Sequence, residues 1–294
     1  MKSLIPYIGG KHRIASQLAV FLRASGAQTI VDVFGGSGAV VMNSGFKKRI
    51  YNDADGDLVN LFRVLGNDVQ RTALLRRLRA LPMARRIFED DYRWYLRNGF
   101  TFAYLSDPVE RARATFYRHH LSFGGKTRSG GFTCSTGDRE RLKEAHRYRN
   151  ALRRIVELSQ FWRETVIENL HYSEVISTYG RRPGVVLFCD PPYVGTENLY
   201  SHRFKQADHV FLAQQLSECA APAVCTYYDH PLVRSLYPES AWNWHPIEST
   251  KNMQRFKGGV RVDGSWKGTV RKTTEWVLVK KVSADAEPEQ SHVR

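Results

Sequence analysis

The fold is decided by Val185-Val186-Leu187-Phe188-Cys189-Asp190-Pro191-Pro192-Tyr193. Its first five residues are apolar and rich in β-branched and aromatic types, which predicts a buried strand. The two prolines that follow cannot donate to a sheet ladder, so the chain turns rigidly after Asp190. Because ligands of open α/β sheets bind at the carboxyl ends of the strands, the stretch predicts a site that holds Asp190 and Tyr193.

This turn supplies one carboxylate, proline carbonyl groups without sheet partners, and one aromatic face. An amino group conjugated to a planar ring needs that set, because its N–H protons require acceptors and the ring requires a surface for stacking. A tight loop in which Asp190 only caps the backbone is the alternative, and this stretch alone leaves both open.

A second predicted strand ends in a glycine turn. Thr29–Phe34 is apolar and β-branched, and Gly35-Gly36-Ser37-Gly38 follows it directly. Strand, glycine turn and helix form the first unit of nucleotide-binding α/β folds, in which glycine lets a ligand approach the backbone closely. The spacing is neither the six-residue dinucleotide fingerprint nor a phosphate-cradling P-loop.

An acidic residue follows the next predicted strand. Arg49–Asn52 ends at Asp53, about 20 residues after the glycines, where such folds bind a ribose diol. Asp55 and Asp57 lie close behind, and either could instead cap the helix predicted over Leu58–Leu65. The sequence favours Asp53 as the ligand residue.

Near the N-terminus, Tyr7-Ile8-Gly9-Gly10-Lys11 combines two glycines with a cation. The glycines permit a tight turn or a close approach to a ligand, and Lys11 can place a positive charge there. A plain turn before the helix predicted over His12–Leu22 is the alternative, and this motif alone does not decide between them.

The charge of the chain is strongly positive and unevenly distributed. The formal net charge is +15 and the isoelectric point is about 9.8, values typical of a protein that binds a polyanion. Residues 61–165 hold 22 Lys+Arg and 11 Asp+Glu, a net of +11, whereas the rest of the chain carries +4. We therefore expect a nucleic-acid-binding face in the middle third, although ion-paired helix faces would account for some of these arginines.

A glycine-rich basic stretch lies inside this middle third, at Leu121–Thr133. Aromatic residues bracket it, which predicts a hairpin or loop that can enter a groove or follow a nucleic-acid backbone. Its candidate DNA-contacting residues are Arg118, Lys126, Arg128 and Arg139. A surface hairpin without a partner is the alternative.

Several function classes are disfavoured by what the sequence lacks. No apolar run approaches the roughly 20 residues that span a bilayer, and Met1–Tyr7 has no apolar h-region, so we do not expect it to be a signal peptide. The four cysteines show no paired metal spacing, so we expect reduced thiols, a cytoplasmic location and no metal site. Residues 283–294 are polar and are expected to be disordered.

Four motifs in this order resemble the Dam-type, or D12 class, DNA adenine-N6 methyltransferases. They are Tyr7-Ile-Gly-Gly-Lys11, Asp32-Val-Phe-Gly-Gly-Ser-Gly38, Tyr51-Asn-Asp-Ala-Asp55 and Asp190-Pro-Pro-Tyr193. The last motif is fairly specific for methylation of an amino nitrogen. The middle of the chain matches mainly by position. There, the sequence from His119 to Arg128 departs from the Asn- and Arg-rich family pattern. The resemblance therefore does not imply that the chain recognises GATC.

The resemblance implies an α/β fold with a Rossmann-like S-adenosylmethionine-dependent methyltransferase sheet, formed by residues 1–60 and 165–282. Residues 61–164 would form an inserted, mainly helical target recognition domain that carries a β-hairpin. The implied reaction is site-specific transfer of a methyl group from S-adenosylmethionine to N6 of an adenine flipped out of double-stranded DNA. The resemblance implies neither a metal nor an obligate protein partner.

The resemblance also implies a role for each motif. Tyr7 and Lys11 would help to close the cofactor site, while Asp53 would bind the ribose hydroxyls. Asp190, which would border the cofactor as well, and the Pro191 carbonyl would accept the two N6 protons. Tyr193 would stack on the flipped base. The residues expected beneath the methionine part of the cofactor are Phe34, Gly35, Gly36 and Gly38, and Pro192 completes the rigid catalytic turn.

Two alternatives stay open at this point. The same chemistry could act on RNA, because stacking on Tyr193 does not distinguish the sugar. The chain could also be a non-catalytic nucleic-acid binder on a methyltransferase scaffold, although intact Asp190, Tyr193 and Lys11 argue against it.

Overall fold

A computed structural model describes residues 1–125, 130–133, 141–197, 204–250, 261–262, 265–266 and 272–281. The strands are β1 (Thr29–Asp32), β2 (Lys48–Asn52), β3 (Val166–Glu168), β4 (Val185–Cys189), β5 (Ala223–Tyr227), β6 (Trp242–Thr250), β7 (Arg261–Val262), β8 (Ser265–Trp266) and β9 (Lys272–Lys280). The α-helices are α1 (Ala15–Ala24), α2 (Ala39–Asn43), α3 (Gly56–Gly66), α4 (Asp68–Ala80), α5 (Arg85–Arg97), α6 (Pro108–Leu121), α7 (Arg141–Glu157), α8 (Ser159–Arg163), α9 (Tyr172–Tyr179), α10 (Gln206–Glu218) and α11 (Pro231–Leu236).

Seven of the described strands form one sheet in the order β3-β2-β1-β4-β5-β9-β6. The strands from β3 to β5 are parallel, whereas β9 runs antiparallel between β5 and β6. The strand order reverses between β1 and β4, and such a switch point leaves a crevice at the carboxyl ends of the strands. The predicted Rossmann-like sheet is therefore confirmed.

β4 lies at the centre of the sheet and is buried on both faces. Val186 and Phe188 belong to one hydrophobic core, while Val185, Leu187 and Cys189 belong to the other. The first core is covered by α1 to α8 and the second by α9 to α11. This burial explains why the sequence of β4 is a continuous apolar run. In a strand with one face exposed to solvent, polar and apolar residues would alternate.

The helices α4 to α7 pack directly onto the sheet-covering layer, because their buried side chains continue the first core. Polar contacts also join the two parts. The Arg111 Nε donates to Asp57 at 2.6 Å, the Phe102 amide donates to the same carboxylate at 2.8 Å, and Asn60 donates to the Pro108 carbonyl at 2.9 Å. The arginine-rich middle of the chain is thus tied to α3, which begins directly after the predicted cofactor motifs.

The loop predicted at 121–133 has a closed root. Ser122 and Phe132 form an isolated antiparallel bridge, and the Thr133 amide donates to the Leu121 carbonyl at 2.7 Å. Phe123–Gly125 forms a single 3₁₀ turn. The candidate DNA contacts Lys126, Arg128 and Arg139 and the tail 283–294 lie outside the described residues.

Within the described ranges, no helix combines the length and the apolar character that a membrane crossing requires.

Candidate active site

A cavity of about 240 Å³ opens at the carboxyl ends of β1, β2 and β4. Distant parts of the sequence meet there because parallel strands end at the same edge of the sheet. The lining residues come from 7–11, 32–40, 52–55, 170–172 and 188–192, together with Phe204 and Asp208. All four sequence motifs thus contribute residues to one crevice.

Two aromatic rings pack against the glycine turn after β1. Gly36 has φ +49°, and a Cβ there would lie 2.8 Å from Tyr7 Cε1. A Cβ on Gly35 would lie 2.1 Å from Tyr51 Cε2, and the Tyr51 hydroxyl donates to the Gly36 carbonyl at 2.8 Å. Only glycine allows the backbone to run between these rings along the cavity wall.

The three aspartates after β2 have different roles. Asp53 lines the cavity and accepts hydrogen bonds from the Gly36 amide at 2.7 Å and the Asp55 amide at 2.8 Å. Asp55 caps α3, because it accepts from the amides of Asp57 at 2.9 Å and Leu58 at 3.4 Å. Asp57 is buried against Arg111. Of the alternatives that the sequence left open, helix capping belongs to Asp55, and Asp53 is the one that holds the glycine turn.

Asp32 is a buried acid of the cavity wall that sequence reasoning did not assign. Its side chain is 1% exposed, and neither oxygen has a hydrogen-bond partner among the described residues. Burial raises its pKa well above the ordinary value, and the charge of Asp190 raises it further, against a smaller opposing effect of the Val41 amide. Its position at the end of β1, ahead of the glycines, is the sequence signal that could have found it.

Asp190 stands at the end of β4 with both carboxylate oxygens engaged. The Thr226 hydroxyl donates to Oδ1 at 2.7 Å, and Lys11 Nζ lies 2.7 Å from Oδ2. Burial raises the pKa of Asp190; the ammonium of Lys11 opposes this and the charge of Glu275 adds to it. The carboxylate is held in one orientation at the cavity wall.

Behind Asp190, Tyr193 and Glu275 complete a buried polar cluster. The Tyr193 hydroxyl donates to Glu275 Oε1 at 2.6 Å, and Lys11 Nζ lies 3.2 Å from the same oxygen. Lys11 Nζ also sits 4.8 Å from the centroid of the Tyr193 ring, while the Tyr228 ring meets it edge-on at 4.6 Å. Tyr193 is 7% exposed, so it forms the floor behind Asp190 rather than part of the cavity lining.

An aromatic wall faces the glycine turn. The Phe34 ring stacks on Tyr172 at 5.6 Å and meets the edge of Phe204 at 5.9 Å. The Tyr172 hydroxyl donates to the Asp208 carbonyl at 3.3 Å, which fixes the ring against α10. Phe34 was predicted from its motif, whereas Tyr172, Phe204 and Asp208 carry no motif and enter the site only through the packing of α9 and α10.

The N-terminal motif is fastened to α6 by two histidines. A ring nitrogen of His119 donates to the Pro6 carbonyl at 3.1 Å, and one of His120 donates to the Leu4 carbonyl at 3.0 Å. The Tyr7 ring stacks on His119 at 5.9 Å. Burial lowers the pKa of His119 to about 4, so its ring is neutral near pH 7. These are the residues at which the sequence departs from the family pattern.

Arg118 corrects a sequence prediction. It was expected to contact DNA, but its side chain is 1% exposed and its guanidinium lies 3.7 Å from the Tyr92 ring centroid and 4.5 Å from that of Phe88. One guanidinium nitrogen donates to the Gly130 carbonyl at 3.2 Å. The residue therefore holds the root of the loop from inside the helical layer, because an arginine so enclosed cannot meet a phosphate.

The other predicted site residues divide into three groups. Those that line the cavity are Tyr7, Lys11, Phe34, Gly35, Gly36, Asp53, Asp190 and Pro192. Pro191 and Tyr193 are buried beside it, and Gly38 stands at the start of α2. Among the described residues, no group of His, Cys, Asp and Glu side chains is arranged to hold a metal ion.

The strand order, the antiparallel β9 and a crevice with Asp190 at the switch point together define a Rossmann-like methyltransferase. The comparison with protein families is specific within that class. The chain belongs to the D12 class N6 adenine-specific DNA methyltransferase family, whose family model matches residues 7–253. It is thus an adenine-specific DNA methyltransferase.

Curated relatives agree with this assignment at modest identity. The chain is 26% identical over 281 residues to the DNA N-6-adenine-methyltransferase of Escherichia phage P1, which covers 88% of this chain but only 34% of that longer protein. It is 28% identical over 245 residues to the Retron Ec67 DNA adenine methylase of Escherichia coli, with 81% of each chain covered. A DNA adenine methylase of Serratia marcescens is 26% identical over 258 residues, which cover 82% of this chain and 88% of the relative.

Proposed function

We propose that the methyl donor is S-adenosylmethionine, that it binds in the cavity at the ends of β1, β2 and β4, and that the acceptor is adenine N6 of a base flipped out of duplex DNA. The observation that carries the proposal is the Asp190 carboxylate, held at the cavity wall by Thr226 and Lys11.

The residues present fit this cofactor. Asp53 stands where a ribose diol needs an acceptor, and the glycine turn admits a ligand against the backbone. The aromatic wall of Phe34, Tyr172 and Phe204 offers flat apolar surface for a purine ring. The buried carboxyl of Asp32, which lacks a hydrogen-bond partner among the described residues, suits the cationic amino group of a methionine part.

The charges of the site also suit the reaction. Lys11 bridges Asp190 and Glu275, so one ammonium faces two carboxylates beside the cavity. When bound, S-adenosylmethionine supplies a methyl group on a positively charged sulfur that is a good leaving group. A surplus of negative charge next to that position favours binding of the cation.

The chain's own residues then orient the acceptor. Asp190 accepts a hydrogen bond from one N6–H and the Pro191 carbonyl accepts one from the other, which draws the nitrogen lone pair out of conjugation and turns it towards the methyl group. N6 loses one of these two protons once it carries the methyl group. Tyr193 supports the flipped ring, and the contacts of the base within the pocket offset the cost of unstacking it. Positioning of the two reactants supplies much of the acceleration.

Residues 61–164 are proposed as the target recognition domain, because the net positive charge is concentrated there and α6 contacts Tyr7 of the site through the His119 ring. Lys126, Arg128 and Arg139 remain proposed DNA contacts. A cytoplasmic location is proposed from the DNA substrate and from Cys189, Cys219 and Cys225, which are unpaired thiols among the described residues.

The test is methyl transfer from labelled S-adenosylmethionine to unmethylated duplex DNA by the wild type and by Asp190→Ala. We expect the variant to lose at least about 10³-fold in rate, because a positioned acceptor and its electrostatic effect are both removed. Its affinity for DNA, measured by fluorescence anisotropy, should stay near that of the wild type. Wild-type-like transfer by Asp190→Ala would refute this mechanism, and transfer to single-stranded RNA in preference to duplex DNA would favour the RNA alternative.

A further inference from the structure

Glu275 is a buried carboxylate of the site that none of the four motifs contains. It lies on β9, which pairs with β5 through Val277 opposite Thr226 and Trp276 opposite Tyr227. This antiparallel pairing brings Glu275 to the carboxyl end of β5, beside the Thr226 hydroxyl that holds Asp190. The side chain is 6% exposed.

Among the described residues, this carboxylate contacts two members of the buried polar cluster behind Asp190. Its Oε1 accepts the Tyr193 hydroxyl proton at 2.6 Å and lies 3.2 Å from Lys11 Nζ. A carboxylate so enclosed is costly to bury, and replacing it with an apolar residue would often be neutral or stabilising in a part of the core that only needs packing. Glu275 instead contacts Tyr193 and Lys11, and both of these side chains lie next to Asp190.

We propose that Glu275 is a positioning residue for methyl transfer, which fixes the Tyr193 ring through its hydroxyl and shares the Lys11 ammonium with Asp190. The proposal rests on the function proposed above, since Asp190 has to be the acceptor of an N6 proton.

The sharing of Lys11 has a direct chemical consequence. Asp190 already accepts from Thr226 at 2.7 Å and from Lys11 at 2.7 Å, and the incoming amino group needs acceptor capacity on the same carboxylate. Glu275 offers the ammonium a second acceptor, so Lys11 keeps a charged partner when the base engages Asp190. Without that second carboxylate, the ammonium would keep the Gly9 carbonyl at 3.1 Å as a neutral acceptor and would place more of its charge on Asp190, which would then be a weaker acceptor for the substrate.

The hold on Tyr193 has a separate consequence. The ring is clamped by its hydroxyl at Glu275 and by the edge of Tyr228 at 4.6 Å. Loss of the hydroxyl contact would let the ring tilt, and a flipped base would lose part of its support without any loss of cofactor contacts.

The experiment compares the wild type with Glu275→Gln, Tyr193→Phe and the double variant. Glu275→Gln keeps an oxygen that accepts the tyrosine proton but cannot balance Lys11, and Tyr193→Phe keeps the ring but loses the hydroxyl. The matched control is Glu218→Gln, because Glu218 is exposed at the end of α10 and bonds to Gln214 of its own helix. Measurements are kcat and KM for duplex DNA, the dissociation constant for S-adenosylmethionine, the melting temperature and the pH profile of kcat.

We expect Glu275→Gln to lower kcat about tenfold or more while KM for DNA and cofactor affinity stay within about threefold. The acidic limb of its pH profile should move to lower pH, because the charge of Glu275 is one of the influences that raise the pKa of Asp190. The other titratable groups that face Asp190, namely Lys11, Asp32, Cys189, Tyr193, Tyr227 and Tyr228, are unchanged in that variant. Tyr193→Phe should give a smaller loss of kcat, and the double variant should lose less than the product of the single losses.

Two results would overturn the proposal. One is a Glu275→Gln enzyme whose kcat lies within about twofold of the wild type, with an unmoved acidic limb. The other is a parallel loss of cofactor affinity, melting temperature and kcat, which would make Glu275 a purely structural residue. If Glu275→Gln does not fold, an unchanged kcat in Tyr193→Phe refutes the claim that Glu275 positions the Tyr193 ring through its hydroxyl. An active Asp190→Ala enzyme would instead refute the proposed function, so the two failures are distinguishable.

Discussion

Gly36 occupies a point in the cavity wall where no side chain fits. Its φ of +49° belongs to the left-handed region, and the Tyr7 ring fills the space that a Cβ would need. Its amide is also the donor that Asp53 accepts at 2.7 Å. Gly36 thus connects the glycine turn to Tyr7 of the N-terminal motif and to Asp53, the residue predicted to bind the ribose.

Gly36→Ala should therefore weaken cofactor binding. The added methyl group has to displace the Tyr7 ring, so we expect the dissociation constant for S-adenosylmethionine to rise about tenfold or more, which is about 1.4 kcal/mol. Isothermal titration calorimetry measures it.

Gly26→Ala is the matched control for that variant. Gly26 has φ +71° and no atom within 4 Å of its Cβ position, so it shares the backbone strain but not the collision. Equal cofactor affinities in the two alanine variants would contradict the assigned role of Gly36.

At single residues, the sequence was most informative where chemistry follows a strand end directly. Asp190, Asp53 and Lys11 were found because each belongs to a local motif. Glu275 was not, since its place beside Tyr193 depends on β9 pairing between β5 and β6, far from Tyr193 in the sequence. Arg118 was misread as a DNA contact because its charge is visible in the sequence, whereas its enclosure by Phe88 and Tyr92 is a product of packing.

Among the elements, α6 connects the loop at 121–133 to the cofactor motif. His119 and His120 bond the carbonyls of Pro6 and Leu4. A Cβ on Gly125 would lie 2.9 Å from the Pro6 carbonyl oxygen, so the root of the loop packs on the same segment. The root of the loop and Tyr7 are thus joined through direct contacts with the segment Leu4–Pro6 and with His119.

The neutral state of His119 predicts a pH dependence of stability. Its pKa falls from 6.5 to about 4 on folding, mainly through burial, with Arg118 adding to the shift. Between these pH values the unfolded chain binds a proton that the folded chain does not. The free energy of unfolding should therefore fall as the pH drops from 6.5 towards 4, by up to about 1.4 kcal/mol per pH unit from this residue.

Urea unfolding of the wild type and of His119→Gln between about pH 5 and pH 6.5 measures this contribution. The glutamine amide can still donate to Pro6 but does not titrate, so the slope of the unfolding free energy against pH should be smaller in the variant. His146→Gln is the control, because His146 is exposed on α7 and should leave the slope unchanged. The same slope in all three proteins would contradict the assignment.

Several helices and strands were predicted close to their observed bounds from the pattern of apolar residues. β4 was predicted from its apolar run, and β2 and α3 cover the strand and the helix predicted at Arg49–Asn52 and Leu58–Leu65. β1 ends at Asp32, two residues before the predicted end, because only the Val33 amide continues the ladder to Phe188 before the glycine turn begins. The contacts of α9 and α10 with the cavity could not be predicted, since an amphipathic pattern says which face is buried but not against what.

At the scale of the whole molecule, the basic middle of the chain and the site motifs are far apart in sequence but belong to parts that share one hydrophobic core. Residues 61–165 carry a net charge of +11, and their described helices have a core that continues that of the sheet. Some of these arginines are ion-paired, as Arg113 is with Asp91 at 2.7 Å and with Glu110 at 2.7 Å. The surplus of +11 remains after every acidic residue of this stretch has been counted, and we propose that it attracts the DNA backbone.

DNA affinity should therefore fall steeply with salt. If the protein neutralises about six phosphates, its dissociation constant should rise on the order of 10³-fold between about 50 and 200 mM monovalent salt. Fluorescence anisotropy with one duplex across a salt series gives the slope. A dissociation constant that hardly changes across the series would mean that the basic middle of the chain does not bind the backbone.

The most direct test of the central claim is a map of N6-methyladenine in unmethylated genomic DNA after incubation with the protein and S-adenosylmethionine. The account predicts methylation at adenines within one short sequence motif, and none with Asp190→Ala. Absence of N6-methyladenine from DNA treated with folded wild-type protein that binds S-adenosylmethionine would contradict it.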